Sequence, residues 1–298
     1  MYDKVDKIKI GVIGTGALGK HHTRILKQNP SVEFIGVYDS NLETSKNVSK
    51  EFNVPYFESI QELDSQCHAL SIAVPAHYHH LVAIPLLKNK KHLLIEKPLT
   101  TNVEDAEELV HIAKINNLVL GVGHVERYNP AFASIVKSNS KIRFIEAHRL
   151  APFPPPRPGL YPRGTEVGVV LDLMIHDIDI ILQLIDATVE SIEAVGIPIL
   201  SPDEDIANAR IKFANGAVAN LTASRISQEY ARRFRVFQTE SYTTLDLGKK
   251  TGFIFSLKEG KIAKDALNIN DCNALEVEIN DFVSSVKKTI ATGAVQNM

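Results

Sequence analysis

Short apolar, β-branched runs alternate with amphipathic stretches over the first 123 residues of the chain. Each apolar run has the length of a buried strand, and the amphipathic stretches repeat their apolar positions at helical spacing. Alternating strands and helices joined by short connections predict a parallel sheet with helices on both faces. The predicted strands are 8–13, 32–38, 54–57, 67–74, 92–95 and 118–122; helices follow the first strand and occupy 41–52, 59–63, 77–88 and 102–116.

The pattern becomes strand-rich in the second half of the chain. A largely apolar helix is predicted over 167–185 and an amphipathic helix over 273–292, and the hairpin signal Asn215-Gly216 separates two of the strands. We expect an α/β protein with a doubly wound parallel sheet over 1–123 and an α+β domain with a large, mostly antiparallel open sheet over 124–298. The strands predicted for this domain are 141–150, 189–197, 206–213, 217–224, 232–239, 242–247 and 252–257.

The open sheet of the second domain has two faces, and the 167–185 helix is expected to cover only one of them. The other face would be flat and would seek a partner, so the pattern favours a homodimer or homotetramer formed through this sheet.

Composition limits the classes of partner. The formal net charge of −2 gives no sign of a nucleic-acid or membrane partner, and no apolar run approaches the roughly 20 residues of a membrane span. The charged stretch from Met1 to Lys9 runs straight into the first strand, which argues against a secretion signal. Cys67 and Cys272 lie far apart and suit a reducing compartment, so we expect a cytoplasmic protein.

The spacing G-x-G-x-x-G occurs where the first strand turns into the first helix, at Gly14, Gly16 and Gly19. The first glycine allows a tight turn, the second lets a pyrophosphate approach the backbone, and the third lets helix and strand pack closely. A purely structural glycine turn is the alternative. The second strand, however, ends at Asp39, twenty residues beyond Gly19, where an acid can bind the ribose hydroxyls of an adenosine. These features predict a Rossmann domain that binds NAD in preference to NADP.

Three further strand ends carry residues of chemical interest. Val74-Pro75 precedes a cluster of histidines that includes His79, for which a metal site and a surface or capping role are both open. Lys97 stands between Glu96 and Pro98, either aimed at the cofactor crevice or solvated at a turn. The run Arg127-Tyr128-Asn129-Pro130 follows the last strand and marks a hinge to the second domain.

Taken in order, the glycine fingerprint, Asp39, Pro75 with His79, the Glu96-Lys97-Pro98 triplet and the 127–130 run resemble the glucose–fructose oxidoreductase, inositol dehydrogenase and rhizopine-catabolism (Gfo/Idh/MocA) family. The resemblance covers nearly the whole chain and implies an NAD-dependent oxidoreductase in which Lys97 is catalytic. The cofactor-binding residues on this reading are Gly14, Gly16, Ala17, Leu18, Asp39, Ser40, Val74, Pro75, His79, Glu96 and Lys97.

A proline-rich segment, 151–164, precedes the apolar helix and predicts a stiff loop over an active site, with a protein-docking segment as the alternative. The helix carries Asp172 and His176 four residues apart, hence on one face, with Asp179 one turn further on. A core histidine held by an aspartate and a metal site formed by these three residues are both open. The family resemblance implies instead that the D-x-x-x-H pair joins Lys97 in a catalytic set, with no metal.

The segments 123–130, 171–179 and 205–211 most resemble the nucleotide-sugar branch of this family. That resemblance implies oxidation of UDP-N-acetylglucosamine at C3, with arginines available for the diphosphate. An inositol or free-sugar dehydrogenase and a catalytically silent NAD-binding regulator are the alternatives. The expected substrate-binding residues are Lys97, Arg127, Tyr128, Arg157, Tyr161, Arg163, Asp172 and His176.

Overall fold

The computed structural model describes residues 6–132, 135, 140–156, 162 and 164–292. The chain divides into two compact units. The first contains the residues up to Gly123 together with those from Leu275 onward, and the second runs from His124 to Ala274.

The first unit is built on a five-stranded parallel sheet in the order β2-β1-β3-β4-β5. Tyr56 adds a single parallel bridge to Val37 on the outer side of β2, where sequence analysis expected a short strand over 54–57. The strand order reverses between β1 and β3, and ligands of such sheets bind at the carboxyl ends of the strands at this point. The strands are β1 (Ile8–Ile13), β2 (Val32–Tyr38), β3 (Ala69–Ile72), β4 (His92–Glu96) and β5 (Leu120–Gly123).

Helices cover both faces of this sheet, as predicted. Polar side chains start several of them: Asn41 accepts hydrogen bonds from the Glu43 and Thr44 N–H groups, and Ser59 accepts one from Glu62 N–H. The helices are α1 (Ala17–Gln28), α2 (Leu42–Phe52), α3 (Ile60–Gln66), α4 (His79–Lys88) and α5 (Val103–Ile115). Two separate apolar clusters result, one beneath α1 and α2 and the other beneath α3, α4 and α5.

The C-terminal helix packs in the first unit, whereas sequence analysis assigned it to the second domain. Its Ile279, Phe282, Val283 and Val286 are buried in the cluster that also contains residues of β1 and α1. Each such side chain contributes about 1.5–3 kcal/mol of hydrophobic stabilisation on full burial. The apolar stripe was therefore read correctly, but an amphipathic pattern does not say which sheet it covers.

The second unit contains an eight-stranded sheet in the order β13-β12-β11-β10-β6-β9-β8-β7. All neighbouring strands are antiparallel except β6 and β9, which confirms the predicted fold class. The 261–266 strand was not predicted. The strands are β6 (Ile142–Leu150), β7 (Val189–Ile197), β8 (Ile206–Phe213), β9 (Val218–Ser224), β10 (Ala231–Gln238), β11 (Ser241–Asp246), β12 (Thr251–Lys258) and β13 (Lys261–Ala266).

A helix, α6 (Ile175–Leu184), packs on one face of the large sheet, and the C-terminal helix is α7 (Ala274–Thr292). Met174, Ile180 and Ile181 of the α6 region are buried in a cluster with side chains from five of the strands, β6, β8, β9, β10 and β11, and with Ala217 of the turn before β9. The opposite face of the sheet carries a row of aromatic residues on adjacent strands. The ring centroids are 5.8 Å apart for Phe144–Phe237, 5.3 Å for Phe237–Tyr242 and 4.4 Å for Tyr242–Phe255.

Among the described residues, no helix has the length and apolar character needed to cross a membrane.

A buried histidine gives the first unit a pH-dependent stability. His92 accepts a hydrogen bond from Val119 N–H through Nδ1 at 2.9 Å, and burial, with the charge of His68, lowers its pKa from 6.5 to about 4. Because the folded-state pKa is depressed, neutral His92 favours the fold at and above pH 6.5. This contribution is lost as the pH falls from 6.5 toward 4, and it totals roughly 3 kcal/mol.

Replacing His92 tests this cause. His92→Asn keeps an acceptor for Val119 N–H but does not titrate, so the free energy of unfolding should fall less between pH 6.5 and pH 4 than in the wild type. Urea titrations across this pH range measure the difference. His111→Asn, at an exposed position of α5, should keep the wild-type dependence on pH. Equal losses in wild type and His92→Asn would contradict the account.

Candidate functional site

The glycine loop joins β1 to α1 and has the geometry that its spacing predicts. Gly14 adopts a φ of +87°, which glycine tolerates best. A Cβ added to Gly19 would lie 1.8 Å from the Gly14 carbonyl oxygen, so only glycine permits this contact between helix and loop. A Cβ at Gly16, in contrast, would meet no atom within 4 Å.

The N-terminus of α1 is therefore an open cradle. Gly16 is its N-cap residue, and no side chain caps the first turn of the helix. Gly16 and Ala17 are exposed and Leu18 is half-buried. Backbone N–H groups at a helix start, together with the positive end of the helix dipole, bind phosphate groups. The loop thus fits a pyrophosphate.

Asp39 directly follows β2 and is hydrogen-bonded to the same loop. Its Oδ2 accepts from Thr15 N–H at 2.7 Å and from the Thr15 hydroxyl at 3.0 Å, and its Oδ1 accepts from Asn41 N–H at 2.9 Å. The carboxylate is half-buried, and Ser40 beside it is exposed. Since a carboxylate has about four acceptor positions, these three bonds leave capacity for a ribose hydroxyl.

His79 links the next two strand ends. Its Nδ1 lies 2.8 Å from the Pro98 carbonyl oxygen, and its Nε2 lies 2.9 Å from the Val74 carbonyl oxygen. The ring is buried, and this burial lowers its pKa despite the two carbonyl partners. His79 therefore holds together the segments after β3 and β4, while Pro75 is exposed beside them. The structure gives it a backbone-bridging role.

Lys97 leaves the carboxyl end of β4 as a half-buried residue, and its peptide bond to Pro98 is cis. The Glu96 side chain before it is buried. One Glu96 oxygen lies 2.9 Å from His22 Nε2, and the other accepts from Lys97 N–H at 3.3 Å. Burial raises the pKa of Glu96, but the His22 hydrogen bond and the charges of His22 and Lys97 outweigh it and lower the pKa below its usual value. Glu96 is thus a carboxylate at neutral pH.

In the second unit, Asp172 lies in a π-helical turn, Val170–Met174, that leads into α6. The Ile175 N–H bonds back to the Val170 carbonyl, five residues earlier, which is the defining bond of such a turn. Turns of this kind occur often at functional sites. Asp172 and His176 are both half-buried here, and Glu204 caps the segment by accepting from Val170 N–H at 3.3 Å.

Two residues fix the approach to Asp172. Gly164 has a φ of +84°, and a Cβ there would lie 2.4 Å from Asp172 Oδ2, so the glycine packs directly against the carboxylate. Arg225, which is buried, donates to the Gly164 carbonyl at 2.8 Å, to the Val167 carbonyl at 2.7 Å and to Asp205 Oδ1 at 2.8 Å. Despite burial, the Arg225 hydrogen bond and the backbone N–H donors around Asp205 hold the pKa of Asp205 far below its usual range.

The other two aspartates of the helix form ion pairs with arginines. Asp177 forms a buried bidentate pair with Arg149, at 3.0 and 2.7 Å. Asp179 forms a bidentate pair with Arg127, at 2.8 and 2.7 Å. Asp179, a member of the possible metal set, therefore binds a guanidinium here. Within the part of the chain that the structure describes, no three His, Cys, Asp or Glu residues are grouped to hold a metal ion.

Tyr128 is the one remaining predicted substrate-binding residue that the structure describes. Arg157, Tyr161 and Arg163 lie outside the described residues, whereas Tyr128 is half-buried in a short 3₁₀ helix, Val125–Tyr128.

The sequence patterns did not predict the hydrogen bonds made by Thr15, His22 and Arg225. For His22 a signal existed, because a polar residue stands on the same face of α1 as Leu18, Ile25 and Leu26.

The fold and the loop define a dinucleotide-binding protein. The parallel sheet reverses its order at β1, the helix start after β1 has room for a pyrophosphate, and an acid follows β2. This combination is the Rossmann arrangement.

Comparison with known families makes the class specific: the chain belongs to the Gfo/Idh/MocA family of oxidoreductases. Residues 8–124 match the oxidoreductase family with an NAD-binding Rossmann fold, and residues 139–242 match the Gfo/Idh/MocA C-terminal domain. The family resemblance seen in the sequence is thereby confirmed.

Individual relatives agree with this assignment. The UDP-N-acetylglucosamine 3-dehydrogenase of Acidithiobacillus ferrooxidans is 35% identical over 94% of this chain and 88% of its own. A solved structure of that enzyme superposes with a TM-score of 0.86, covering 95% of this chain and 89% of the other. The myo-inositol 2-dehydrogenase of Thermotoga maritima is 25% identical over 85% of this chain and 79% of its own. A levoglucosan dehydrogenase in complex with NADH, at 20% identity, shares the fold with a TM-score of 0.85, covering 97% and 91%.

The two loop glycines give a matched pair of variants. In Gly16→Ala the new methyl group projects into open space, so the thermal unfolding midpoint should stay near the wild-type value, while the Kd for NADH rises about tenfold or more as the methyl blocks the phosphates. Gly19→Ala should lower the unfolding midpoint itself, because its methyl group overlaps the Gly14 carbonyl. Differential scanning fluorimetry and NADH fluorescence titration measure the two effects. Unchanged NADH affinity in Gly16→Ala would argue against the phosphate cradle.

Proposed function

We propose that this protein is an NAD-dependent dehydrogenase that oxidises a ring secondary alcohol of a nucleotide sugar, with UDP-N-acetylglucosamine oxidised at C3 as the best candidate. The observation that carries the proposal is the 35% identity to an enzyme of that name along 94% of the chain. The matches in both halves of the chain support an enzyme that has a C-terminal domain of this family beside its cofactor-binding domain.

Lys97, Asp172 and His176 are proposed as the catalytic set. His176 takes the proton of the substrate hydroxyl, since imidazole is the side chain most often used as a general base. Asp172 orients the substrate hydroxyl or the imidazole. Lys97 stabilises the negative charge that develops on the oxygen. NAD, when bound, supplies the acceptor for the hydride that leaves the same carbon.

The surroundings of Asp172 support its place in this set. Of the three aspartates between 172 and 179, Asp177 and Asp179 form bidentate pairs with arginines. Asp172 lies in the π-helical turn and packs against the backbone of Gly164. A carboxylate placed in a π-helical turn and fitted so closely is the best candidate for a role in the reaction.

The substrate contacts remain proposals drawn from the family resemblance. Arg127, Tyr128, Arg157, Tyr161 and Arg163 are assigned to the sugar and its diphosphate, since guanidinium groups bind phosphate oxygens bidentately. Arg127 pairs with Asp179 in this structure. On this assignment it would have to share or exchange that partner when it binds a diphosphate.

We propose a homodimer or homotetramer that forms through the outer face of the large sheet. The row Phe144, Phe237, Tyr242 and Phe255 supports this surface, because stacked aromatic side chains on a broad sheet favour association. Light scattering measures the molar mass and hence the number of subunits, and a monomer at micromolar concentration would contradict this proposal.

A cytoplasmic location is also proposed, supported by Cys67 and Cys272, which are both free thiols.

A substrate panel tests the function directly. With NAD⁺, absorbance of NADH should rise with UDP-N-acetylglucosamine and not with glucose or myo-inositol. Turnover of an inositol or a free sugar instead would select another branch of the family. NAD binding without turnover of any sugar would indicate a regulator and would contradict the proposed enzyme.

Variants of the catalytic set test the residue roles. Lys97→Ala should lower kcat about 10²–10³-fold and His176→Ala about 10²–10⁴-fold, with the Kd for NADH changed by less than about threefold. Lys88→Ala and His111→Ala, at exposed positions of α4 and α5, serve as matched controls with wild-type rates. A fully active Lys97→Ala protein would contradict the mechanism.

Cofactor choice depends on Asp39 in this proposal. A 2′-phosphate would meet the like charge of this carboxylate, so NAD is preferred over NADP. Asp39→Asn removes the charge but keeps acceptors for Thr15, and the ratio of the two Kd values should fall about tenfold toward parity. Glu43→Gln, an exposed acid on α2, is the control. An unchanged ratio in Asp39→Asn would refute the ribose assignment.

A further inference from the structure

A completely buried histidine lies beneath the Glu96-Lys97-Pro98 turn. His22 belongs to α1, three residues after Gly19, and has no exposed surface. Its Nδ1 lies 2.7 Å from Ser71 Oγ on β3, and its Nε2 lies 2.9 Å from Glu96 Oε1 on β4. One side chain therefore joins the cofactor-loop helix to two strands of the sheet.

The arrangement looks like a serine nucleophile with its histidine and acid, but it cannot act as one. Ser71 is 1% exposed and lies in the interior of the unit, so no substrate reaches its hydroxyl. The effect of His22 must therefore be exerted through the groups it touches. Of these, Glu96 is the one that continues toward a surface, because it accepts a hydrogen bond from Lys97 N–H at 3.3 Å.

The Glu96 carboxylate is closely packed, and its position depends on its hydrogen-bond partners. A Cβ at Gly123 on β5 would lie 3.0 Å from Glu96 Oε2, so the neighbouring strand leaves no room for the carboxylate to swing away on that side. A buried carboxylate deprived of its hydrogen-bond donor is strongly disfavoured and must move, neutralise or admit water. Each of these responses would disturb the backbone of Lys97, the next residue.

We propose that His22 is a positioning residue: it fixes the Glu96 carboxylate and, through it, the backbone from which the Lys97 side chain extends. This inference rests on the catalytic role proposed above for Lys97. His22 itself touches no substrate, so its contribution is to the alignment of Lys97. Misplacement of a reacting group by about 1 Å costs roughly 100-fold in rate, which sets the scale of the expected effect.

Two replacements separate the two hydrogen bonds of His22. In His22→Gln, the amide nitrogen reaches about as far as Nε2 and can still donate to Glu96. In His22→Asn, the shorter amide can reach Ser71 but not Glu96. We expect kcat within about threefold of wild type for His22→Gln and about 100-fold lower for His22→Asn, with the NADH Kd changed less than about threefold in both. The exposed neighbour His21 supplies the control, His21→Asn, with wild-type kcat.

Hydrogen exchange of the peptide spanning 93–100 gives a readout that needs no turnover. In the NAD-free protein, exchange over this peptide should be faster in His22→Asn, close to wild type in His22→Gln and unchanged in His21→Asn. If the wild type oxidises no sugar, the proposed function fails, and this exchange pattern still decides whether His22 positions the turn.

Two results would overturn the inference. One is wild-type exchange over 93–100 in His22→Asn. The other is equal impairment of His22→Gln and His22→Asn with the NADH Kd raised in step, which would show that His22 only supports the fold. Rates are measured at a temperature well below the thermal unfolding midpoint of each variant, so that partial unfolding does not lower the measured kcat.

Discussion

The close contact between α1 and the end of β1 is the constraint on which the first unit depends. Because Gly19 has no side chain, the helix approaches the Gly14 carbonyl to a distance that any Cβ would forbid. That approach sets the direction of α1. Its exposed start then faces open space at Gly16, and its buried face brings His22 within hydrogen-bond distance of Ser71 and Glu96. The absence of a side chain at Gly19 thus helps to position both the phosphate cradle at Gly16 and the His22–Glu96 hydrogen bond beneath Lys97.

In the second unit, two of the three aspartates between 172 and 179 form ion pairs with arginines. Buried or partly buried carboxylates are costly unless they have polar or charged partners. Arg149 and Arg127 pair with Asp177 and Asp179, which gives both aspartates a structural purpose. Arg225 orders the loop from 164 to 167 that packs against Asp172. Asp172 differs from these two in its local backbone, because it lies in the π-helical turn and packs against Gly164.

Much of this organisation could be predicted because it follows from local rules. The glycine spacing, the alternation of strands and helices and the acid after β2 each act over a few residues, and each was recognised. The β13 strand pairs with its neighbour β12 across the turn at 259–260, but its residues are almost all exposed and show no apolar alternation that would predict a strand. The placement of α7 depends on packing against distant segments, which local patterns do not encode. The same holds for the His22–Glu96 pair, whose members are 74 residues apart in the chain.

The proposed function requires the carbinol carbon of a nucleotide sugar to pass its hydrogen to NAD while residues of this chain take the hydroxyl proton. Single turnover with UDP-N-acetylglucosamine deuterated at C3 tests it most directly. The account predicts one deuterium at C4 of the reduced nicotinamide, by mass spectrometry, and a slower transfer than with the unlabelled sugar. Reduced nicotinamide without deuterium would contradict it.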